Sequence, residues 1–208
     1  MEPLPSVLPA TIDLDSLRSY LLDLLVRRAF REGGADEFLL SSGQRSAYYI
    51  DCKRVSLMAE GAIAIARLFL ELLPADTDSV AGLTLGADPL VTAVSVASGY
   101  GEPDRARFLP ALVVRKEAKG HGTGAYIEGP DLAAGARVVV LEDVVTTGKS
   151  AMRAVERLRA CGYDVDRVLA VVDREQGGAA LYRESGLEFQ ALFSLTEICA
   201  RARTLAQG

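Results

Sequence analysis

Two carboxylates stand side by side at Glu142 and Asp143, directly after the apolar run Val138-Val139-Val140-Leu141. Val144-Val145-Thr146-Thr147-Gly148-Lys149-Ser150 follow, a short loop rich in hydroxyls and glycine, and then a helical pattern begins. A fully apolar run preceded by Gly135 and ended by a loop reads as a buried strand of a parallel sheet. Ligands of such sheets bind at the carboxyl ends of the strands, where the two acids fall. The loop 146–150 brings backbone N–H groups, Thr and Ser hydroxyls and a helix N-terminus to one point, the makings of a phosphate cradle. A strand ending in two acids is often mere punctuation. Gly148-Lys149-Ser150 also suggests a nucleoside-triphosphate P-loop, but that motif needs a glycine five positions earlier, where Asp143 stands. A carboxylate there would repel the phosphates the loop should hold. What remains is an acidic pair suited to hydroxyls or a metal, beside a loop suited to a phosphate. A ribose 5-phosphate meets both demands.

A second concentration follows an apolar strand pattern at 111–114, in Arg115-Lys116-Glu117-Ala118-Lys119-Gly120-His121-Gly122-Thr123-Gly124. Arg, two Lys and the chain's single His fall within seven positions, and three glycines give the segment backbone freedom. No helix pattern follows, so the glycine spacing is not a dinucleotide fingerprint. Most charge runs are solvated loops. This one leaves a strand, so it starts at the same carboxyl edge as the cradle. A cationic lid over an anion site suits the departure of a diphosphate, whose negative charge grows as its bond to the sugar breaks. Closure would also keep water from the electron-poor sugar carbon.

The elements that must position these groups alternate along the chain. After a Pro-containing lead-in at 1–12, Leu14, Leu17, Leu21, Leu24 and Leu25 mark one face of a helix that Gly33-Gly34 should stop. Residues 38–51 read as two short strands joined by a Ser-Gly turn. A helix is expected over 57–73, then a strand from Val80 to Leu85, then a helix to about Ser98 with Asp88 as N-cap and Pro89 in its first turn. The strand 138–141 precedes a helix from Ser150 carrying Ala151, Val155 and Leu158 on one face, with Gly162 as its C-cap. Further strands are expected at 168–172 and 189–193, and Ser194-Leu195-Thr196-Glu197 has the form of a capping box opening a last helix. Such alternation implies an α/β fold, a mainly parallel sheet flanked by helices. The 208 residues are expected to form one domain, in which residues 13–55 lie outside the alternation and contribute a small N-terminal cap, or hood, over the site.

Composition excludes several classes of function. A net charge of −5 argues against a nucleic-acid-binding protein. Three scattered cysteines, Cys52, Cys161 and Cys199, form neither a disulfide framework nor a zinc spacing, which points to a reducing cytoplasm. The N-terminal MEPLPSVLPA lacks the basic-then-apolar order of a signal peptide, and no apolar run is long enough to span a membrane.

Four apolar residues, Glu-Asp, two apolar residues and Thr-Thr-Gly resemble the 5-phosphoribosyl 1-diphosphate (PRPP) signature of type I phosphoribosyltransferases. In that family the acidic pair holds the ribose hydroxyls and the loop holds the 5-phosphate. RKEAKxHG resembles the catalytic loop of orotate phosphoribosyltransferases in particular, and FLLSSGQRSAYYID resembles their N-terminal substrate segment. Asp173-Arg174, after the strand at 168–172, resembles a further family element whose Arg contacts orotate. The resemblance spans residues 38–174 and implies transfer of the phosphoribosyl group from PRPP to orotate.

The resemblance assigns Lys119, Glu142 and Asp143 to catalysis. It assigns Arg115, Lys116, Lys119 and His121 to the diphosphate, and Glu142, Asp143, Val144, Val145, Thr146, Thr147, Gly148, Lys149 and Ser150 to the ribose and 5-phosphate. Thr146 and Arg174 would contact orotate. The implied cofactor is Mg²⁺, held mainly by PRPP rather than by protein ligands. The implied assembly is a homodimer whose 115–124 loop reaches the neighbouring site. Departures from the family pattern are Ser41, where some members carry Lys, the lack of Lys in Leu85-Gly86-Ala87-Asp88, and Ala47 where Pro is common. Two other readings are a purine-base phosphoribosyltransferase, against which the 115–124 loop argues, and a non-catalytic PRPP-binding regulator on the same scaffold. Fusion to a decarboxylase barrel is not expected, because no length remains for it.

Overall fold

The computed structural model describes residues 13–34, 37–39, 43, 45–100, 107–117 and 126–207. Helix α1 (Leu14–Arg28) leads into four short strands, β1 (Phe30–Glu32), β2 (Phe38–Leu39), β3 (Arg45–Ser46) and β4 (Tyr48–Ile50), then helices α2 (Lys53–Ser56) and α3 (Ala59–Leu72). Strands and helices then follow as β5 (Ser79–Leu83), α4 (Asp88–Ser98), β6 (Ala111–Val114), β7 (Ile127–Glu128), β8 (Val138–Val145), α5 (Lys149–Ala160), β9 (Arg167–Asp173), α6 (Gly178–Glu184), β10 (Glu188–Ser194) and α7 (Leu195–Gln207). The main sheet has six strands in the order β10-β9-β8-β5-β6-β7, parallel except for β7. From β5 the chain steps to β6 on one side and returns to β8 on the other. The strand order therefore reverses between β5 and β8, the point at whose carboxyl edge ligands of such sheets bind.

Both faces of the sheet are covered, which is why β8 reads as an uninterrupted apolar run. Val139 and Leu141 belong to a core shared with α1, α3, α4 and α7, and Val138 and Val140 to a core shared with α5 and α6. Ala151, Ala154, Val155 and Leu158 seat α5 on the second core at the spacing of one helix face. The capping box of α7 forms in both directions. The Ser194 hydroxyl accepts from the Glu197 N–H at 3.1 Å, and the Glu197 carboxylate accepts from the Ser194 N–H at 3.0 Å.

Several boundaries depart from expectation, each for a local reason. Helix α1 ends at Arg28 rather than at Gly33-Gly34, because Phe30 pairs with Ile50 and β1 forms an antiparallel ladder with β4. The Gly33 N–H serves the Ala47 carbonyl instead. The expected hairpin over 38–51 is therefore two ladders, β2 with β3 and β1 with β4. Ser41 and Ser42 of its expected turn lie outside the described residues. Asp88 does not cap α4: Ala87 holds that position, and the Asp88 carboxylate accepts from the Thr84 hydroxyl at 2.8 Å. Gly162, with φ of 85°, follows the C-cap Cys161. Strand β8 continues past Leu141 to Val145, because β9 goes on pairing with Glu142, Val144 and Val145. Residues 13–55 divide in two. Leu17, Leu21, Leu24 and Leu25 bury α1 in the core, and the segment after it, from the short strands to Cys52, approaches the carboxyl edge of the sheet.

Candidate active site

The acidic pair lies at the reversal of strand order. Glu142 is 6% exposed and its Oε2 has no hydrogen-bond partner among the described residues. Burial pushes its carboxyl well above the ordinary range, the Asp143 charge adds to the shift, and Lys116 opposes it. Asp143 is half-buried, and its Oδ1 accepts from the Val144 N–H at 2.9 Å. The loop after β5 closes on it so tightly that a Cβ at Gly86 would lie 2.6 Å from its carboxyl oxygens. From the other side, the buried Cys52 thiol donates to the Asp143 carbonyl at 3.6 Å. Burial pushes that thiol far up, and the Asp143 charge pushes the same way. Lys53, whose Nζ lies 2.8 Å from Asp51 Oδ1, also feels the charge of Asp143.

The loop expected to cradle a phosphate lies between β8 and α5. Thr146, Thr147 and Gly148 join β8 to α5, and Gly148 takes φ of 80° at the N-cap. A side chain there is excluded twice, by that backbone angle and by the Tyr182 ring, which an added Cβ would meet at 3.0 Å. The Gly178 N–H donates to the Thr146 carbonyl at 3.2 Å, and a Cβ at Gly178 would lie 2.3 Å from Val145 Cγ1. The loop is thus held from behind by α6 while the first N–H groups of α5 stay free of helical partners. Val145 is 1% exposed and can offer a ligand only its backbone, whereas Lys149 and Ser150 are exposed. Tyr182 is fully buried with an unpartnered hydroxyl, which burial, and then the charges of Glu142 and Asp173, hold far above the ordinary range.

Arg174 joins the N-terminal strands to the sheet. It is 3% exposed, and its Nη2 donates to the Ser46 hydroxyl at 2.9 Å and to the Tyr48 carbonyl at 3.1 Å. Its backbone N–H donates to the Val145 carbonyl at 2.8 Å, beside the cradle. The Nε is buried and has no hydrogen-bond partner among the described residues. The turn that swings Arg174 inward carries Glu175 at φ of 59°, with the Asp173 carboxylate accepting the Glu175 N–H at 2.8 Å.

The cationic stretch is only partly within the described residues. Arg115 pairs with Glu128 at 3.2 Å, so its guanidinium lies along β7. Lys116 is exposed. Lys119 and His121 lie outside the described residues. Among the described residues, no group of three or more His, Cys, Asp or Glu is placed to hold a metal ion, and no helix is long and apolar enough to cross a membrane. Residue-by-residue reading missed Gly86, Cys52, Ser46, Gly178 and Tyr182. The pair Gly177-Gly178, shortly after Asp173-Arg174, was the one signal that a tight backbone approach occurs there.

No family model matches the chain. Individual proteins do. The orotate phosphoribosyltransferase of Nostoc sp. is 60% identical over 197 residues, covering 95% of this chain and 92% of that protein. The enzyme of the same name from Synechocystis sp. is 60% identical over 188 residues, covering 90% and 91%. The crystal structure of Mycobacterium tuberculosis orotate phosphoribosyltransferase in complex with PRPP superposes with a TM-score of 0.69 at 35% identity, covering 88% of this chain and 98% of that one.

Proposed function

We infer the work of this crevice from one premise: the chain belongs to the orotate phosphoribosyltransferase family. It transfers the 5-phosphoribosyl group of PRPP to orotate, giving orotidine 5′-monophosphate and diphosphate, a step of pyrimidine biosynthesis. The observation that carries this reading is the β8–α5 unit, in which an acidic pair and a glycine-opened helix N-terminus meet where the strand order reverses. The purine-base alternative is not favoured, since the relatives at high identity carry the orotate name.

The residue roles follow from position. The loop Thr146–Ser150 receives the 5-phosphate on backbone N–H groups and hydroxyls. Asp143, half-buried and open to the crevice, accepts from ribose hydroxyls. Glu142, with a carboxyl held above the ordinary range, accepts from the sugar when ionised and donates when protonated. Lys116, next to Arg115 at the end of β6, is suited to the diphosphate, and the resemblance adds Lys119 and His121; these cations would stabilise the charge the diphosphate gains on leaving. Orotate N1 attacks the anomeric carbon as the bond from that carbon to the diphosphate oxygen breaks; the bonding pair leaves with the diphosphate, and the N1 proton passes to the departing diphosphate oxygen or to solvent. Arg174, through its unpartnered Nε, and Thr146 hold the orotate anion. The strands β1–β4, tied to Arg174, form the hood on the base side. A magnesium ion, a hard cation suited to these oxygens, would be held mainly by substrate oxygens and would neutralise diphosphate charge. The chain would act as a homodimer. Tyr100 and Phe108, 87% and 84% exposed near the end of α4, are large apolar surfaces suited to a second copy.

The test is PRPP-dependent consumption of orotate, measured beside uracil, adenine and hypoxanthine with and without magnesium. Turnover of orotate alone is expected. Turnover of a purine base in its place would overturn the assignment.

A further inference from the structure

Arg157 lies on α5 and has no part in the site as described above, yet its guanidinium crosses to the cationic stretch. Nη1 donates to the Arg115 carbonyl, Nη2 donates to the Lys116 carbonyl at 2.8 Å, and the guanidinium lies 4.0 Å from the centre of the Tyr126 ring. The Arg115 N–H in turn donates to the Tyr126 carbonyl at 2.8 Å. All three contacts therefore grip the neck where β6 and β7 part. The ladder from β6 to β5 ends at Val114, so the two carbonyls lie beyond its last pair, and a planar fork of donors meets both.

We propose that Arg157 is a positioning residue for the diphosphate end of PRPP, fixing the backbone from which Arg115 and Lys116 reach relative to the loop that holds the 5-phosphate. The link is rigid because both ends belong to α5. The helix opens at Lys149 against the phosphate loop, and Arg157 follows about 12 Å along the same axis, at 1.5 Å per residue. One helix thus addresses the two charged ends of one substrate. The charge of Lys116 is already felt at Glu142, which places this cation within electrostatic range of the crevice. The proposal rests on the reading of Arg115 and Lys116 as diphosphate contacts.

The test is a double-mutant cycle on the full chain. Arg157→Ala, Lys116→Ala and the pair are compared by calorimetric binding of inorganic diphosphate with magnesium, and separately of ribose 5-phosphate. Arg157→Ala should weaken diphosphate binding about tenfold, the scale of one charged hydrogen bond, and leave ribose 5-phosphate within about twofold. In the Lys116→Ala background the further loss should shrink to under about twofold, because the residue acts through its neighbour. Arg157→Lys should recover only part of the loss, since an ammonium does not span two carbonyls and a ring. Should Arg157→Ala fail to fold, Arg157→Gln replaces it in the cycle. Equal weakening of both ligands, or losses that simply add, would overturn the role. Wild-type protein that turns over no orotate would instead overturn the reading of the site, so the two failures are distinguishable.

Discussion

The two sides of the crevice are held by different means. On the phosphate side, the cradle is the junction of a fully buried central strand and a helix seated by four apolar residues, backed by Gly178 and Tyr182. On the base side, strands of two and three residues stand outside the main sheet, and one buried arginine ties them to it through Ser46 and Tyr48. The first side is fixed by burial, which is cooperative. The second keeps fewer buried residues, Ile50 and Ser46 among them, and leans more on directional bonds, each of which can be lost singly. Under the proposed roles that contrast suits an enzyme that must hold the ribose phosphate while the base enters and the product leaves.

Asp143→Asn should break the phosphate side functionally without breaking it structurally. Turnover should fall by about two to three powers of ten, the size of one lost electrostatic contact in the transition state, while thermal stability stays near that of the parent. A collapse of stability with normal activity in the folded fraction would make the acid structural. Arg174→Ala should act on the other side. It removes a tie between the short strands and the sheet and the cation proposed to face orotate, and a charged hydrogen bond is worth about 1.5–3 kcal/mol. The Michaelis constant for orotate should rise roughly ten- to a hundredfold, with that for PRPP little changed. Weakened PRPP use with unchanged orotate use would move Arg174 to the other side of the comparison.

Glu142→Gln sharpens the comparison through pH. A carboxyl whose pKa is raised on folding keeps its proton more firmly in the folded chain than in the unfolded one. Its contribution is therefore fully present below the unfolded pKa and is lost as pH rises through the folded one. Glutamine does not titrate, so the variant should gain on the parent in thermal midpoint as pH rises above the ordinary carboxylate range, by a few degrees, given about 2–4 °C per kcal/mol at this chain length. A parallel shift at every pH would show that folding leaves the pKa of Glu142 unchanged. The smallest effect is expected from Ser46→Ala, which removes one neutral partner of Arg174. One such bond is worth about 1 kcal/mol, so orotate affinity should fall about fivefold, with no effect on binding of ribose 5-phosphate.

The same division governs what the sequence made legible. Strand β8, helix α5 and the α7 capping box could be read because each is stabilised by neighbours in the chain or by a periodic buried face. The end of α1 could not, because Gly33-Gly34 is the stronger local stop signal and the pairing of Phe30 with Ile50 is a contact between distant positions. Asp88 was assigned to a cap because Asp-Pro favours one, and the Thr84 hydroxyl claimed its carboxylate instead. Tyr182 carries no local mark of its place beneath the phosphate loop. Arg174 could be picked out by resemblance, but its bonds to Ser46 and Tyr48 join segments 128 and 126 positions apart.

Cys52 turns this architecture into an internal clock. Its thiol is fully buried against the Asp143 carbonyl and held protonated, whereas Cys161 is exposed. An alkylating reagent reacts with thiolate that it can reach. Cys161 should therefore be labelled at once, and Cys52 only in the interval when α2 lifts from β8. The slow phase of labelling measures how often the base-side wall of the crevice detaches. Bound ribose 5-phosphate, which the proposed roles place on the acidic pair and not on α2, should lengthen that phase only if the two walls open together.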